Sequence, residues 1–377
     1  MGALRLLLAV SVVLNHAQGF FRVQLAGGVA AVEAFFMISG FVMALVLSTK
    51  YDPVADRGVF YSNRLLRIFI PYFAVLAFAG LVGILAYFMR STGPFALIEA
   101  NDPDFAALGL LILTQITIVG QELFLFLTMA DGSLQWSGAK PDLGVVDMLL
   151  IPPVWSISLE LMFYAVAPWL VRLRSRWLLA LIAASLLLRV AFVSAGLKDD
   201  PWSYRFFPLE LCFFIGGMVS YRIYAQGLIP ERLHRPLGLA LLLAVFAFQP
   251  AAVFVESLGA PRAVAGWAFY SLALVCLPAL FAWTKSNARD AFLGNFSYAV
   301  YLVHWPILIL IDSVAPGIDG NVRAAVAVLA SLAMAFAITE LIEKPVDRWR
   351  QRRFNRRSAS SSAPAAPNPA RELPQGG

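Results

Sequence analysis

The sequence reads LRLLLAVSVVLNHAQGF over residues 4–20, an apolar stretch that can cross a bilayer and yet contains two ionisable side chains. Arg5 and His16 lie eleven residues apart. On a helix that spacing is about 16 Å along the axis and roughly 20° around it, so both side chains share one face. Ionisable groups at membrane depth are costly and indicate function by default. A neutral imidazole with a cation below it on the same face suggests a proton-transfer group, with an anion-binding site beneath that group. The alternative is a histidine that only hydrogen-bonds a neighbouring helix.

The composition is that of a polytopic membrane protein. Of 377 residues, 60% are hydrophobic and 14% are charged, and the mean hydropathy is +0.75; soluble domains have about 45–50% apolar and about 25% charged residues. The apolar runs have the length of helices, not the short alternation of barrel strands, so we expect an all-α polytopic fold in a lipid bilayer. The net charge of +6 fits basic loops on one side of the membrane, and we expect no nucleic-acid partner.

Cysteine and histidine usage argues against a metal centre. Cys212 and Cys276 each lie inside an apolar run, where a small buried hydrophobic residue is the simpler interpretation. The three histidines are scattered along the chain and do not form a zinc-binding pattern. We therefore predict no metal and no permanently bound cofactor.

Eleven apolar runs have approximately the length of a membrane span. The weakest is 107–128, which several polar residues interrupt, so we interpret it as re-entrant or peripheral and predict about ten transmembrane helices. The runs cover residues 3–21, 28–48, 68–90, 107–128, 154–171, 176–196, 206–225, 237–255, 264–283, 296–314 and 322–342.

The lysines and arginines predict the orientation of these helices. Basic loops follow the second, fifth, seventh, ninth and last runs, and all of them fall on one side if 107–128 does not reverse the chain. Because basic loops face the cytoplasm, we predict an inner-membrane protein with both termini in the cytoplasm. Residues 1–345 then form a transmembrane domain. Residues 346–377 are basic and then Ser/Ala/Pro-rich, and we expect them to form a disordered cytoplasmic tail.

A carboxylate lies within the second run, which opens with GGVAAVEAFFMISGF at residues 27–41. Glu33 could accept the second N–H of His16 and raise the basicity of the imidazole. A structural role in capping or pairing stays equally open. Ser39 and Gly40 indicate a close approach of two helices.

Two arginines precede the third run. Arg64 and Arg67 lie one turn apart on one face of the predicted helix. Two guanidinium forks at that spacing suit a phosphate group. The alternative is ordinary positive-inside charge that contacts lipid head groups.

The segment PPVWSISLELMFY, residues 152–164, opens the fifth run. Trp155 is typical of an interfacial anchor, and Ser156 can cap the helix. Glu160 is expensive at membrane depth unless it is paired. It could hydrogen-bond a sugar hydroxyl or His16, and a structural pair with an arginine is the alternative.

A second intramembrane histidine, His304, lies in NFSYAVYLVHWP at residues 295–306. Taken alone, it is more typical of a packing hydrogen bond than of catalysis. We assign it to a set that contacts the acceptor or supports the site, together with Trp155, Ser156, Tyr164 and Tyr301.

In this order the motifs resemble those of the membrane-bound acyltransferase-3 family of O-acyltransferases. Each motif alone is weak, but their joint order is specific and covers most of the chain in outline. The motifs are Arg5 with His16, Gly-Gly…Phe-Phe-x-Ile-Ser-Gly-Phe at 27–41, Arg64-x-x-Arg67 with Pro71, Trp155-Ser-x-x-x-Glu160, Ser297-Tyr-x-x-Tyr301-Leu-x-His304-x-Pro306, and Glu340-x-x-Glu343-Lys-Pro345.

This resemblance implies acyl transfer, usually of acetyl, from cytoplasmic acyl-CoA to a hydroxyl of a sugar or glycolipid at the outer side. His16 matches the family's essential histidine, and Arg5, Arg64 and Arg67 match its essential arginines. The family commonly has aspartate where this chain has Glu33, whose longer side chain displaces the carboxylate. Some relatives carry a fused extracytoplasmic hydrolase-like domain; we expect this chain to hand over the acyl group itself or with a separate partner.

We therefore expect an O-acyltransferase that uses acyl-CoA as a co-substrate. The catalytic residues are predicted to be His16, Glu33 and Glu160, and the donor-binding residues Arg5, Arg64 and Arg67. His16 could act as a general base or become transiently acylated. The acyl chain, the acceptor and the oligomeric state are not readable from the residues.

Two other hypotheses compete with this one. A proton-coupled secondary transporter of a small polar solute would use His16, Glu33 and Glu160 as a relay. It predicts paired repeats with broken helices, and we find no convincing internal repeat in the sequence. A non-catalytic membrane scaffold leaves the buried charges unexplained.

Overall fold

The computed structural model describes residues 1–20, 23–51, 56–138, 144–349 and 352. Most of the predicted tail therefore lies outside the described residues. The helices in the described ranges are α1 (Gly2–His16), α2 (Gly27–Thr49), α3 (Arg57–Arg90), α4 (Pro94–Asn101), α5 (Phe105–Thr117), α6 (Trp155–Leu170), α7 (Ser175–Ser194), α8 (Trp202–Arg205), α9 (Phe207–Ala225), α10 (Glu231–Ser257), α11 (Ala263–Thr284), α12 (Ala288–Val314) and α13 (Gly320–Ile338).

Eight helical segments in this part of the chain are long and apolar enough to cross a membrane. The all-α polytopic membrane fold is thereby confirmed, and the chain is a multi-pass membrane protein. The segments are α2, α3, α7, α10, α11 and α12, together with Trp202–Ala225, which joins α8 to α9, and Gly320–Trp349, which extends α13.

Two of the ten predicted spans form short helices. α1 has 15 residues and α6 has 16, which correspond to about 22 and 24 Å, whereas the hydrocarbon core is about 30 Å thick. α1 ends before Gly19, which has a φ of 85°, and α6 starts only after a 3₁₀ turn at Pro152–Val154. α1 packs against α2, α12 and α13, so protein replaces lipid around it.

The apolar run 107–128 does not form one helix. α5 has 13 residues, or about 20 Å, which is too short to span. The backbone then turns at Ile118 and Gly120, with φ values of 66° and 92°, into a 3₁₀ turn at Gln121–Phe126. The break agrees with the prediction that polar residues interrupt the run 107–128 and keep it from forming a transmembrane helix.

A small hairpin follows this turn and was not predicted. Strand β1 (Leu127–Ala130) pairs antiparallel with β2 (Ser133–Trp136). Each strand has four residues, which gives the period-two pattern too few positions to stand out from an apolar run.

The N-terminus is fixed against the start of α12. The Met1 ammonium lies 2.7 Å from Asp290 Oδ2, and the N–H groups of Gly2 and Ala3 donate to the same carboxylate at 2.8 and 2.9 Å. A carboxylate is favourable at a helix N-terminus because it accepts from unpaired N–H groups. We call this end of the bundle the Met1 end and the opposite end, where α1 stops, the His16 end.

Helices α2 and α9 touch backbone to backbone. A Cβ atom at Gly40 would lie 1.8 Å from the Phe214 carbonyl oxygen, and one at Gly217 would lie 1.9 Å from the Met37 carbonyl oxygen. Both positions therefore require a residue without a side chain. The close approach predicted at Gly40 is confirmed, whereas Ser39 faces the cavity described below.

Replacing Gly217 with alanine should disrupt this interface. The added methyl group would overlap the Met37 carbonyl, and separating packed helices costs on the order of 1–3 kcal/mol or more. We expect a lower thermal stability in detergent and a smaller monodisperse fraction on size-exclusion chromatography. Gly216→Ala is the matched control, because the nearest atom there, Leu274 Cδ1, is 3.6 Å away. Equal stability of the two variants would contradict the close contact.

Candidate active site

A cavity of about 140 Å³ lies inside the bundle. Its wall combines polar side chains with an apolar stretch from α2. Seven of the predicted site residues line it, so the fold brings together positions from four helices that are distant in sequence. These seven residues are Arg5, Arg64, Arg67, Ser156, Glu160, Tyr164 and Tyr301; the apolar side includes Val32, Phe35, Phe36, Ile38, Val42 and Met43.

Three guanidinium groups face this cavity. Arg64 and Arg67 lie one turn apart on α3, and Arg5 lies near the start of α1. Arg64 is buried and Arg67 is exposed, so the cationic wall extends from the interior of the bundle to its surface. Guanidinium groups arranged in this way can bind a phosphate through paired N–H donors.

Glu160 also lines the cavity and accepts hydrogen bonds from two hydroxyl groups. Ser39 Oγ donates to Oε1 at 2.6 Å, and the Tyr164 hydroxyl donates to the same oxygen. Arg5 interacts with this carboxylate electrostatically. The carboxylate is therefore stabilised by two donors and a cation, as a buried charge must be. Of the partners predicted for Glu160, an arginine is present, because Arg5 attracts the carboxylate electrostatically. The other predicted partner, His16, contacts His304.

Tyr301 joins α12 to the start of α6. Its hydroxyl donates to the Pro153 carbonyl at 2.7 Å and lies 2.6 Å from Ser156 Oγ. Ser156 was predicted to cap α6, but the helix already begins at Trp155. The serine hydroxyl therefore lies inside the first turn and contacts Tyr301 at the cavity wall.

Trp155 is an internal residue, and its interpretation as an interfacial anchor is wrong. The side chain is 5% exposed. The Tyr204 ring packs edge-on at 5.0 Å, and the Arg205 guanidinium lies 4.3 Å from the ring centroid. Asp200 binds Arg205 through two hydrogen bonds of 2.6 and 2.9 Å. Because Tyr204 and Arg205 belong to α8, far along the chain, the segment around Trp155 does not predict them.

The two intramembrane histidines contact each other. His16 is the last residue of α1, and its Nδ1 lies 3.1 Å from Nε2 of His304 on α12. The rings stack with their centroids 5.1 Å apart. His304 is fully buried, and its Nδ1 lies 2.6 Å from the Tyr301 carbonyl oxygen. His304 therefore connects Tyr301, at the cavity wall, with His16, which lies beyond the lining of this cavity.

These contacts imply one arrangement of protons when both rings are neutral. A carbonyl oxygen can only accept, so His304 carries its proton on Nδ1. Nε2 of a neutral His304 then has a lone pair and must accept from Nδ1–H of His16. A neutral His16 in this arrangement has its lone pair on Nε2. His304 thus has the orienting position that the sequence-based prediction gave to Glu33.

Glu33 faces a different part of the bundle. It precedes Gly40 by seven residues and Ser39 by six, so on α2 it lies roughly 20° from the glycine and roughly 120° from the serine. It therefore points to the α9 side. In the described part of the chain it is buried against Tyr270, whose hydroxyl hydrogen-bonds it, and near Arg189. The expected contact with His16 is replaced by these partners.

Glu33 belongs to a second polar cluster, which is buried between α2, α7, α9 and α11. The fully buried Glu210 accepts from Arg189 at 2.9 Å. Arg189 also donates to the carbonyl groups of Ser203 and Leu209 at 2.5 and 3.0 Å. Arg189 and Glu210 were not among the predicted site residues. Both lie within predicted spans, so the rule that singled out Arg5 would have found them.

This chain is similar to known proteins over most of its length. A family model described as an acyltransferase domain matches residues 1–340. A curated protein of Rhizobium radiobacter, described as "Protein 2 in picA locus", is 29% identical over 184 residues, which is 47% of this chain and 84% of that protein. No solved structure matches the chain.

We expect neutral His16 and His304 both to carry their proton on Nδ1. His234 is an internal reference, because its Nε2 lies 3.1 Å from the Ile229 carbonyl oxygen, which requires the opposite tautomer. Nitrogen-15 chemical shifts of histidine-labelled protein in detergent distinguish the two forms. His304→Phe assigns the signals and should release His16 into a tautomer mixture. A wild-type His16 protonated on Nε2 would refute the arrangement.

Proposed function

This chain belongs to the acyltransferase family whose domain matches residues 1–340, and we propose that it transfers an acyl group from acyl-CoA to a hydroxyl of a carbohydrate or glycolipid acceptor at the membrane. Acetyl is the first candidate for the acyl group. One observation carries the proposal: three guanidinium groups and a carboxylate line one cavity, and Tyr301 on its wall adjoins a histidine pair. The family membership argues against the transporter hypothesis.

Acyl-CoA suits the cationic side of the cavity because its phosphates are the charged part of the donor. Arg5, Arg64 and Arg67 would bind these phosphates through their N–H groups. We place both termini in the cytoplasm of an inner-membrane protein, where acyl-CoA is available to the exposed Arg67. The donor then acts as a co-substrate that leaves after each turnover.

His16 would activate the acceptor through the lone pair on Nε2. The acceptor oxygen forms a C–O bond to the thioester carbonyl carbon while its proton moves to Nε2. The C–S bond breaks, and the imidazolium returns the proton to the departing thiolate. His304 holds the ring in the required tautomer by accepting from Nδ1–H.

A covalent route uses the same tautomer. Nε2 of His16 attacks the thioester carbonyl and forms an acyl-imidazole as the C–S bond breaks. The acceptor hydroxyl then attacks this acyl group, and its proton passes to the thiolate. Both routes need a lone pair on Nε2 and a donor whose acyl group reaches the His16 end of the bundle.

Replacing His16 with alanine should abolish acyl transfer. Loss of a general base lowers turnover about 10²- to 10⁴-fold, and loss of a nucleophile removes the covalent route altogether. Turnover by purified protein with radiolabelled acetyl-CoA and a candidate acceptor measures the effect. His234→Ala is the control, since this histidine lies at the start of α10, away from the cavity. Wild-type turnover by a folded His16→Ala variant would remove the histidine from the mechanism.

The double variant Arg64→Ala with Arg67→Ala should raise the apparent KM for acyl-CoA. Hydrogen bonds to charged groups contribute roughly 1.5–3 kcal/mol each, so we expect at least about a tenfold increase. Steady-state kinetics and acetyl-CoA binding by calorimetry check this. Arg289→Ala removes an exposed arginine at the Met1 end that does not line the cavity, and it should leave KM unchanged. Unchanged donor dependence in the double variant would exclude these arginines from the donor site.

A further inference from the structure

A second cavity, of about 50 Å³, adjoins the first. Arg5, Arg67 and Tyr298 line both cavities and form the wall between them. The two arginines are therefore accessible from two sides. The other polar residues of the second cavity are Asn295, Thr339, Glu343, Lys344 and Asp347.

The segment that brings Glu343 to this wall is π-helical. α13 ends at Ile338, and Thr339–Glu343 forms a π-helical turn. Such a turn contains one extra residue, which rotates the side chains after it by about 100° around the axis. π turns are rare and occur frequently at functional sites. Thr339 Oγ1 donates to Glu343 Oε2 at 3.3 Å and so helps to hold the carboxylate in place.

The Glu343 carboxylate attracts the two arginines that line both cavities. Its electrostatic attraction is greatest for Arg67 and smaller for Arg5. The neighbouring Lys344 is paired with Glu340 four residues away, so its charge is balanced locally. Arg5 thus has one carboxylate on each side, Glu160 in the first cavity and Glu343 in the second.

We propose that Glu343 is a positioning residue that competes with the anionic carrier for Arg67 and Arg5, and so sets how tightly acyl-CoA and the released coenzyme A are held. This inference rests on the proposed use of acyl-CoA. When the donor binds, its phosphates compete with the Glu343 carboxylate, which lines the same cavity, for the electrostatic attraction of the two guanidinium groups. After transfer, the carboxylate attracts them again and promotes release of the carrier. Without this competition, clustered guanidinium groups would retain an anionic product.

The variant Glu343→Gln should bind the carrier more tightly. Removing one negative charge close to the arginines lowers the dissociation constants of coenzyme A and inorganic pyrophosphate by about threefold to tenfold, after screening by solvent and salt. The apparent KM for acyl-CoA and the inhibition constant of coenzyme A should fall by a similar factor. Calorimetry on the full-length protein in detergent and product-inhibition kinetics measure these quantities.

Two control variants separate charge from packing. Glu343→Asp keeps the charge and should stay near the wild-type constants. Glu231→Gln removes an exposed carboxylate at the Met1 end that lines neither cavity, and it should change nothing.

Four outcomes would overturn the inference. A merely structural Glu343 would lower kcat in the glutamine variant without changing KM or the dissociation constants. Weaker binding by that variant would mean that the carboxylate assists the carrier. A wild-type protein that binds neither coenzyme A nor pyrophosphate would overturn the acyl-CoA donor as well, whereas wild-type binding with unchanged constants in Glu343→Gln would overturn this inference alone.

Discussion

The free-energy cost of an ionisable group inside an apolar bundle governs this structure, because each such group needs a partner. The Met1 ammonium binds Asp290, which fixes α1 to α12. Arg189 binds Glu210, which fixes α7 to α9. Arg5 lies between two carboxylates on different segments. The apolar surfaces of these helices would pack in many arrangements, and the charged pairs help to select one of them.

The same constraint distinguishes the two polar clusters. Around Arg189, a carboxylate and two backbone carbonyl groups accept hydrogen bonds from the guanidinium. The arginines of the first cavity instead line an open volume of about 140 Å³, together with Glu160, which accepts hydrogen bonds from two hydroxyl groups. A cationic wall beside a cavity attracts an anion, whereas a cation enclosed by its partners stabilises the fold. The cavity is therefore the better candidate for binding, although both clusters contain buried carboxylates.

The sequence predicts the membrane class, most of the helices and seven of the residues that line the cavity, because length, hydropathy and misplaced charges are local signals. It does not predict which side chains meet. For Glu33 the sequence left a contact with His16 and a structural pairing role equally open, and its angle around α2 directs it to α9. Trp155 resembles a lipid anchor until residues 200–205 cover it. The histidine pair joins residues 288 positions apart, and only tertiary packing brings those residues together.

Helix α1 sets the distance between the arginines of the cavity and His16. Arg5 and His16 belong to the same short helix, so their separation is about 16 Å whatever the surrounding helices do. A donor whose phosphates lie at the arginines must therefore carry its acyl group on an extended arm to reach the imidazole. A compact donor with its charge beside its reactive carbonyl could satisfy the arginines or the histidine, but not both at once. Under the proposed function, the length of α1 therefore requires a long carrier such as acyl-CoA.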